Sequence, residues 1–257
     1  MGRARGLTTG EQDAFASLLG VRRGLDGELA ARRAADEEER MSRPRPFLRP
    51  DGAMAYYRDN DEAAAVLHRI DGPAVESANG DRVWYRGGHL HREDGPAVEL
   101  ADGDKEWHRG GHLHREDGPA IEYANGDKAW WLDGQLHRDG GPAVVRVDDT
   151  KEWWSNGQRH REDGPAVESA NGGLEWWTDG QCHRDDGPAV ESANGDKKWY
   201  RDGQLHREDG PAVERADGYK AWYREGLHHR EDGPAIESAN GKKWWWRAGQ
   251  LQPHPLS

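Results

Sequence analysis

A fixed period constrains this chain more than any other feature. Gly-Pro-Ala recurs with its proline at Pro73, Pro96, Pro119, Pro142, Pro165, Pro188, Pro211 and Pro234, each 23 residues after the last. The same register carries Trp84, Trp107, Trp130, Trp153, Trp176, Trp199, Trp222 and Trp245. It also carries a His-Arg pair beginning at His68, His91, His114, His137, His160, His183, His206 and His229. No insertion breaks the count between Pro73 and Gln250. Such a period defines a repeat architecture, in which each unit buries apolar surface only against its neighbours.

Composition sets the thickness of that architecture. Only 34% of the residues are hydrophobic and 33% are charged, which excludes a thick apolar core. Yet 13 Trp and 7 Tyr stand beside 2 Phe, so the apolar content sits in wide rings that carry a polar atom, as suits a thin sheet. The net charge is -12, with both signs interspersed, which speaks against nucleic acid and anionic lipid as partners. Cys182 is the single cysteine, so no intramolecular disulfide forms and a reducing, cytoplasmic setting is expected. No run of 18 apolar residues occurs, so membrane insertion is not expected.

Along the chain, residues 1–42 read as a helical N-terminal extension. Thr9 to Leu19 forms one predicted helix with a capping box at Thr9 and Gln12, and the Ala-rich stretch from Asp26 to Arg40 forms a second. Residues 43–50, Arg-Pro-Arg-Pro-Phe-Leu-Arg-Pro, read as a stiff basic linker. Residues 51–70 keep Tyr56-Tyr57 and His68-Arg69 with five extra residues, as in a degenerate capping repeat. Eight repeats over 71–252 and a tail over 253–257 complete the chain.

One unit, Gly187 to Asp209, reads as a hairpin. Pro188 to Ala193 is a short strand, Asn194-Gly195 a tight turn at positive φ, and Asp196 to Asp202 the returning strand. Gly203 to Gly210 is then a wider loop into the next copy, so each unit supplies two strands and two turns. Eight units give about sixteen strands, roughly 75 Å of sheet, with cross-strand aromatic pairs as the expected cohesive term. Asp148-Asp149-Thr150 lacks the turn glycine, and the array is expected to be least regular there. Three turn signals per unit also suit a three-sided β-solenoid, although the side from Gly203 to Asp209 offers only Leu205 to its interior.

The string Tyr200-Arg-Asp-Gly203-Gln-Leu-His206, with Asp217-Gly218 one turn later, resembles the aromatic-x-x-Gly-x-x-His and Asp-Gly elements of MORN repeats, which share the 23-residue length. The resemblance covers residues 51–251. Lys198 and Arg207 stand where a MORN unit usually has glycine, so the chain resembles a MORN-like variant, near divergent His-Arg-Glu-Asp-Gly-Pro-Ala arrays. The resemblance implies an all-β array of stacked antiparallel hairpins that binds partners. Related repeats in antitoxins extend it to an immunity role.

Two ring ladders and one polar cluster are the candidate functional features. Trp84, Trp107, Trp130, Trp153, Trp176, Trp199, Trp222 and Trp245 form the expected structural ladder. Tyr85, Trp131, Trp154, Trp177, Tyr200, Tyr223 and Trp246 point to the other face of their strands and form a candidate binding stripe, with His108 at the same position. Which ladder is exposed is open at this point. In His-Arg-Glu-Asp, Arg is expected to pair with Asp, and His to bond a loop carbonyl. Equivalent histidines roughly 9.6 Å apart cannot share a metal ion, so no metal, cofactor or catalytic residue is expected. The expected function is a non-enzymatic scaffold for protein-protein interaction. Glycan or cell-wall binding and single-stranded nucleic-acid binding are alternatives, and an edge-strand homodimer through Trp245 to Leu251 is a further expectation.

Overall fold

The computed structural model describes residues 46–57 and 66–253. The expected N-terminal helices lie outside them, as do residues 43–45 and 254–257. Over the described residues the chain is all-β. Each of the first seven full units folds into four short strands rather than two, and in the eighth the middle two run together as Lys243–Arg247. In the unit from Gly187 these are Val190–Glu191, Lys197–Lys198, Tyr200–Arg201 and Gln204–Leu205. The first two enter one long antiparallel sheet of 19 strands. The last two form a separate short hairpin, so the loop expected over Gly203 to Gly210 contains a strand.

The Trp between strands two and three explains the split. Trp199 N–H donates to the Ala212 carbonyl in the long sheet, while its own carbonyl accepts from His206 N–H in the short hairpin. One residue therefore serves both sheets, and the extended segment from Asp196 to Asp202 divides there. Every backbone pairing in the array is antiparallel, which excludes the parallel coils of a solenoid.

Register propagates from unit to unit. Lys197–Lys198 pairs with Val190–Glu191 of its own unit and with Val213–Glu214 of the next. The short hairpins are linked as well: Gly203 N–H reaches the Cys182 carbonyl of the preceding unit, and Arg184 N–H reaches the Tyr200 carbonyl of the following one. The alanine of each Gly-Pro-Ala, from Ala74 to Ala235, is 0% exposed, so small side chains fill the tightest layer of the array.

The two turns reverse the expected assignment. At Asn194-Gly195 only Gly195 has positive φ (90°), and the bonds Gly195 N–H to Ser192 and Ser192 N–H to Asp196 define a three-residue turn with a glycine bulge. The two-residue turn with positive φ at both positions is Asp202-Gly203, at 49° and 75°. Asp149 takes the bulge position at φ 71° and keeps both turn bonds, so this turn is as regular as its counterparts.

Part of the expected linker belongs to the array. Pro46–Leu48 is a strand paired with Met54–Tyr56, which pairs in turn with Val75–Glu76 of the first full unit. The capping unit thus has both long-sheet strands. Arg69 lies 4.0 Å over Tyr56, which occupies the Trp position.

Candidate interaction surface

The His-Arg-Glu-Asp-Gly-Pro segment is a built structure in each unit. Arg207 stacks 4.0 Å from the centre of the Trp199 ring. Its Nε donates to Asp209 at 2.9 Å, and its Nη1 donates to the Pro211 carbonyl at 3.2 Å and to Glu214 at 3.1 Å. Gly210 closes the other side, since a Cβ there would lie 2.9 Å from Arg207 Cζ. The guanidinium is therefore enclosed by a ring, a glycine, two carboxylates and a carbonyl. The same stack recurs at Arg92, Arg115, Arg138, Arg161, Arg184 and Arg230, 3.9 to 4.1 Å over their tryptophans.

The histidine links units rather than closing its own loop. His206 Nδ1 accepts the backbone N–H of Glu225, the first residue of the next short turn, at 3.2 Å. Equivalent bonds run from Gly87 to His68 and from Ala248 to His229. The expected loop carbonyl is not its partner. Because Nδ1 accepts, the neutral ring carries its proton on Nε2. In several units Nε2 lies near an acidic side chain two residues on, as with His114 and Glu116 at 3.4 Å.

These segments stand side by side as loops with open grooves between them. One groove, about 770 Å³, lies between the His91 to Pro96 and His114 to Asp117 segments over Trp107 and Arg109. A second, about 640 Å³, lies between Arg138 and Asp163 over Trp153 and Trp154. Their rims are carboxylates: Asp94 and Asp117 are each 85% exposed and Glu93 is 74% exposed. Hydrogen bonds from Arg92 and Arg115 hold Asp94 and Asp117 below the ordinary carboxylate range. Arg86, then His91, does the same for Glu93. These three carboxylates therefore stay anionic to lower pH than free ones.

The ring ladders do not divide into one buried and one exposed. Tyr85, Trp131, Trp154, Trp177, Tyr200, Tyr223 and Trp246 are half-buried, as are Trp84, Trp107, Trp130, Trp153, Trp176, Trp199, Trp222 and Trp245. His108, at the second ladder's position, is buried and paired with Glu106 at 2.8 Å. Trp154 and Trp177 turn their indole N–H groups to Glu152 and Glu175. Glu152 is only 5% exposed and also meets Arg159 at 3.1 Å and Arg146 at 2.7 Å, an ion cluster between the two sheets of unit four. Burial pushes the Cys182 thiol up to about 12, with Glu175 adding to the effect.

Sequence reasoning missed the Arg-Trp stack and the role of the glutamate in Ala-Val-Glu. A signal was present at the junction of the third and fourth units, where the Asp and the Glu are lost together, as Gly140 and Val145. Arg138 there keeps its stack and its bond to Pro142. Among the described residues no group of three or more His, Cys, Asp or Glu side chains is placed to hold a metal ion, and no helix is long and apolar enough to cross a membrane. The fold and its repeated loops define a hairpin-array repeat protein. Comparison with known protein families and with the curated proteins finds no match to this chain.

Proposed function

We propose that this chain is a non-enzymatic, MORN-like scaffold that binds a protein partner along the row of His-Arg-Glu-Asp loops. The observation that carries this reading is the recurrence of one groove with anionic rims at four successive steps of the array, from Arg69 to Asp163. Equivalent loops lie about 9.6 Å apart, close to three residues of extended chain, so a cationic segment running along the row would meet the same chemistry at each step. The arginine cover over the first ring ladder and the partial burial of the second favour a protein over a glycan, because a sugar needs an open ring face. An antitoxin or immunity role is a specific form of this reading. A soluble, cytoplasmic setting belongs to the same proposal and rests on the single, buried Cys182.

The test is affinity capture with the full chain from its native host, beside a variant carrying Glu93→Lys, Glu116→Lys, Glu208→Lys and Glu231→Lys. These side chains are 68 to 74% exposed, so the variant is expected to fold. The reading expects a protein captured by the native chain, released by salt and lost with the variant. Polysaccharide recovered without protein, or capture indifferent to the four changes, contradicts it.

A further inference from the structure

Five of the seven junctions between full units share one pairing pattern, and the C-terminal end of the array presents one half of that pattern uncovered among the described residues. Inside the array a two-residue strand such as Lys197–Lys198 has neighbours on both sides. The terminal strand Lys243–Arg247 begins with Lys243 and Trp244 at the same positions, and these pair only with Ile236–Glu237. Their other edge has no strand against it among the described residues. Trp244 is 39% exposed, whereas Ala221, at its position one unit earlier, is fully buried. Leu251 is 60% exposed, whereas the equivalent Cys182 is buried.

The covering strand inside the array has a recurrent chemistry. At five of the seven junctions it reads Ala, then Val or Ile, then Glu, with the glutamate opposite a cation: Arg82 and Glu99, Lys105 and Glu122, Lys151 and Glu168, Lys197 and Glu214, Lys220 and Glu237. The other two set Val145 opposite Lys128 and Glu191 opposite Leu174. Lys243 is the cation that this pattern leaves without its second glutamate, and Lys242 and Arg247 add positive charge beside it. A second copy matches the missing strand poorly. The edge strand Pro46–Leu48 would set Leu48 against Lys243 and lies between Arg45 and Arg49, so both ends of the array are basic. A two-fold pairing of terminal strands would bring like charges together.

We propose that the C-terminal edge of the array is a β-augmentation site for an extended acidic segment of another protein, with the pattern small residue, Val or Ile, Glu. Backbone hydrogen bonds to the Lys243–Trp244 edge supply affinity, and the Lys243 charge together with the Trp244 face selects the sequence. This deepens the scaffold reading by naming a second surface and its partner chemistry. It uses none of the loop row, so the two fail separately.

The experiment titrates the full chain with a blocked peptide, Gly-Pro-Ala-Val-Glu-Ser, following tryptophan fluorescence, beside the same peptide with Glu replaced by Lys. The expected result is saturable binding of the Glu peptide, about tenfold tighter than the Lys peptide, with the preference reversed in Lys243→Glu. A chain extended only through the covering strand, His-Arg-Glu-Asp-Gly-Pro-Ala-Val-Glu-Ser, leaves a glutamate edge in place of the Lys243–Trp244 edge and is expected not to bind the Glu peptide. Absence of saturation by about 1 mM, equal binding to the extended chain, or no change of preference in Lys243→Glu would overturn the proposal. So would a stable dimer of the chain that the Glu peptide leaves intact.

Discussion

Arg207 lies 4.0 Å over Trp199, and the same two residues control both the loop and the crossing between sheets. Trp199 divides its backbone bonds between the long sheet and the short hairpin, while Arg207 fixes its ring and ties the loop to Glu214 on the next strand. Removing the guanidinium takes away a cation-π contact and three hydrogen bonds, one of them to the largely exposed Asp209. Arg207→Ala is expected to cost about 2 kcal/mol, and Arg207→Lys to recover less than half of it, because an ammonium cannot stack and fork at once. Urea unfolding of the full chain measures both. Equal stability of the two variants would contradict the stacked geometry.

Glu225 has φ 50° and Ala248 φ 44°, in the left-handed region that L residues other than Asn and Asp avoid. Both are exposed, and both use only their backbone N–H toward the preceding histidine. Glu225→Asn is expected to stabilise the array by roughly 0.5 to 1 kcal/mol, and Ala248→Gly by a similar amount or less. The thermal midpoint reads the change. A fall in midpoint for both would mean that the turn is not the two-residue type assigned to it.

Units three and four supply a natural control for the buried ion cluster. Where unit four has Glu152 and Arg159, unit three has Ala129 and Leu136 on the same strands. Glu152→Ala leaves Arg159 without its nearest carboxylate and is expected to cost about 3 kcal/mol. Adding Arg159→Leu to Glu152→Ala is expected to restore most of that loss, since the pair then matches unit three. A double variant as unstable as the single one would show that the cluster is not exchangeable for apolar packing.

The sequence conveyed the period, the long-sheet strands and the capping unit because those depend on spacing and on small, β-branched residues at Ala-Val-Glu. It did not convey the second hairpin. That hairpin forms because Trp199 can serve two sheets at once, a property of the neighbouring unit's carbonyls rather than of local propensity. The turn types were inverted for the same reason. Asn-Gly favours a two-residue turn in isolation, but pairing across units sets the register, and a three-residue loop meets it. Exposure of the ring stripe depended on that missed hairpin. The Arg-Trp stack was obscured because Arg and Asp paired satisfactorily within the motif, which left no reason to look eight residues back.

Acid weakens the array in two ranges. His228 is held below the ordinary histidine range, first by burial, so the unfolded chain binds its proton more readily. Its contribution is complete above about pH 6.5 and is lost as pH falls through the lower folded value. Asp94, Asp117, Asp163, Asp186, Asp209 and Asp232 are held low, mainly by hydrogen bonds from their arginines. Their contribution is complete above about pH 4 and is lost below it. The thermal midpoint is therefore expected to fall slightly from pH 7 to 5 and steeply below pH 4. His228→Leu, which matches Leu205 of the preceding unit, is expected to remove the first decline and leave the second. Persistence of the shallow decline in that variant would assign it elsewhere.

Equivalent units are joined only to their neighbours. Deleting residues 164–209, two whole units, joins Asp163 to Gly210 and preserves the repeat register. Small-angle X-ray scattering is expected to show a folded particle with its maximum dimension shorter by about 19 Å, four strands at roughly 4.8 Å each. A deletion variant that unfolds, or that keeps the length of the native chain, would contradict the account.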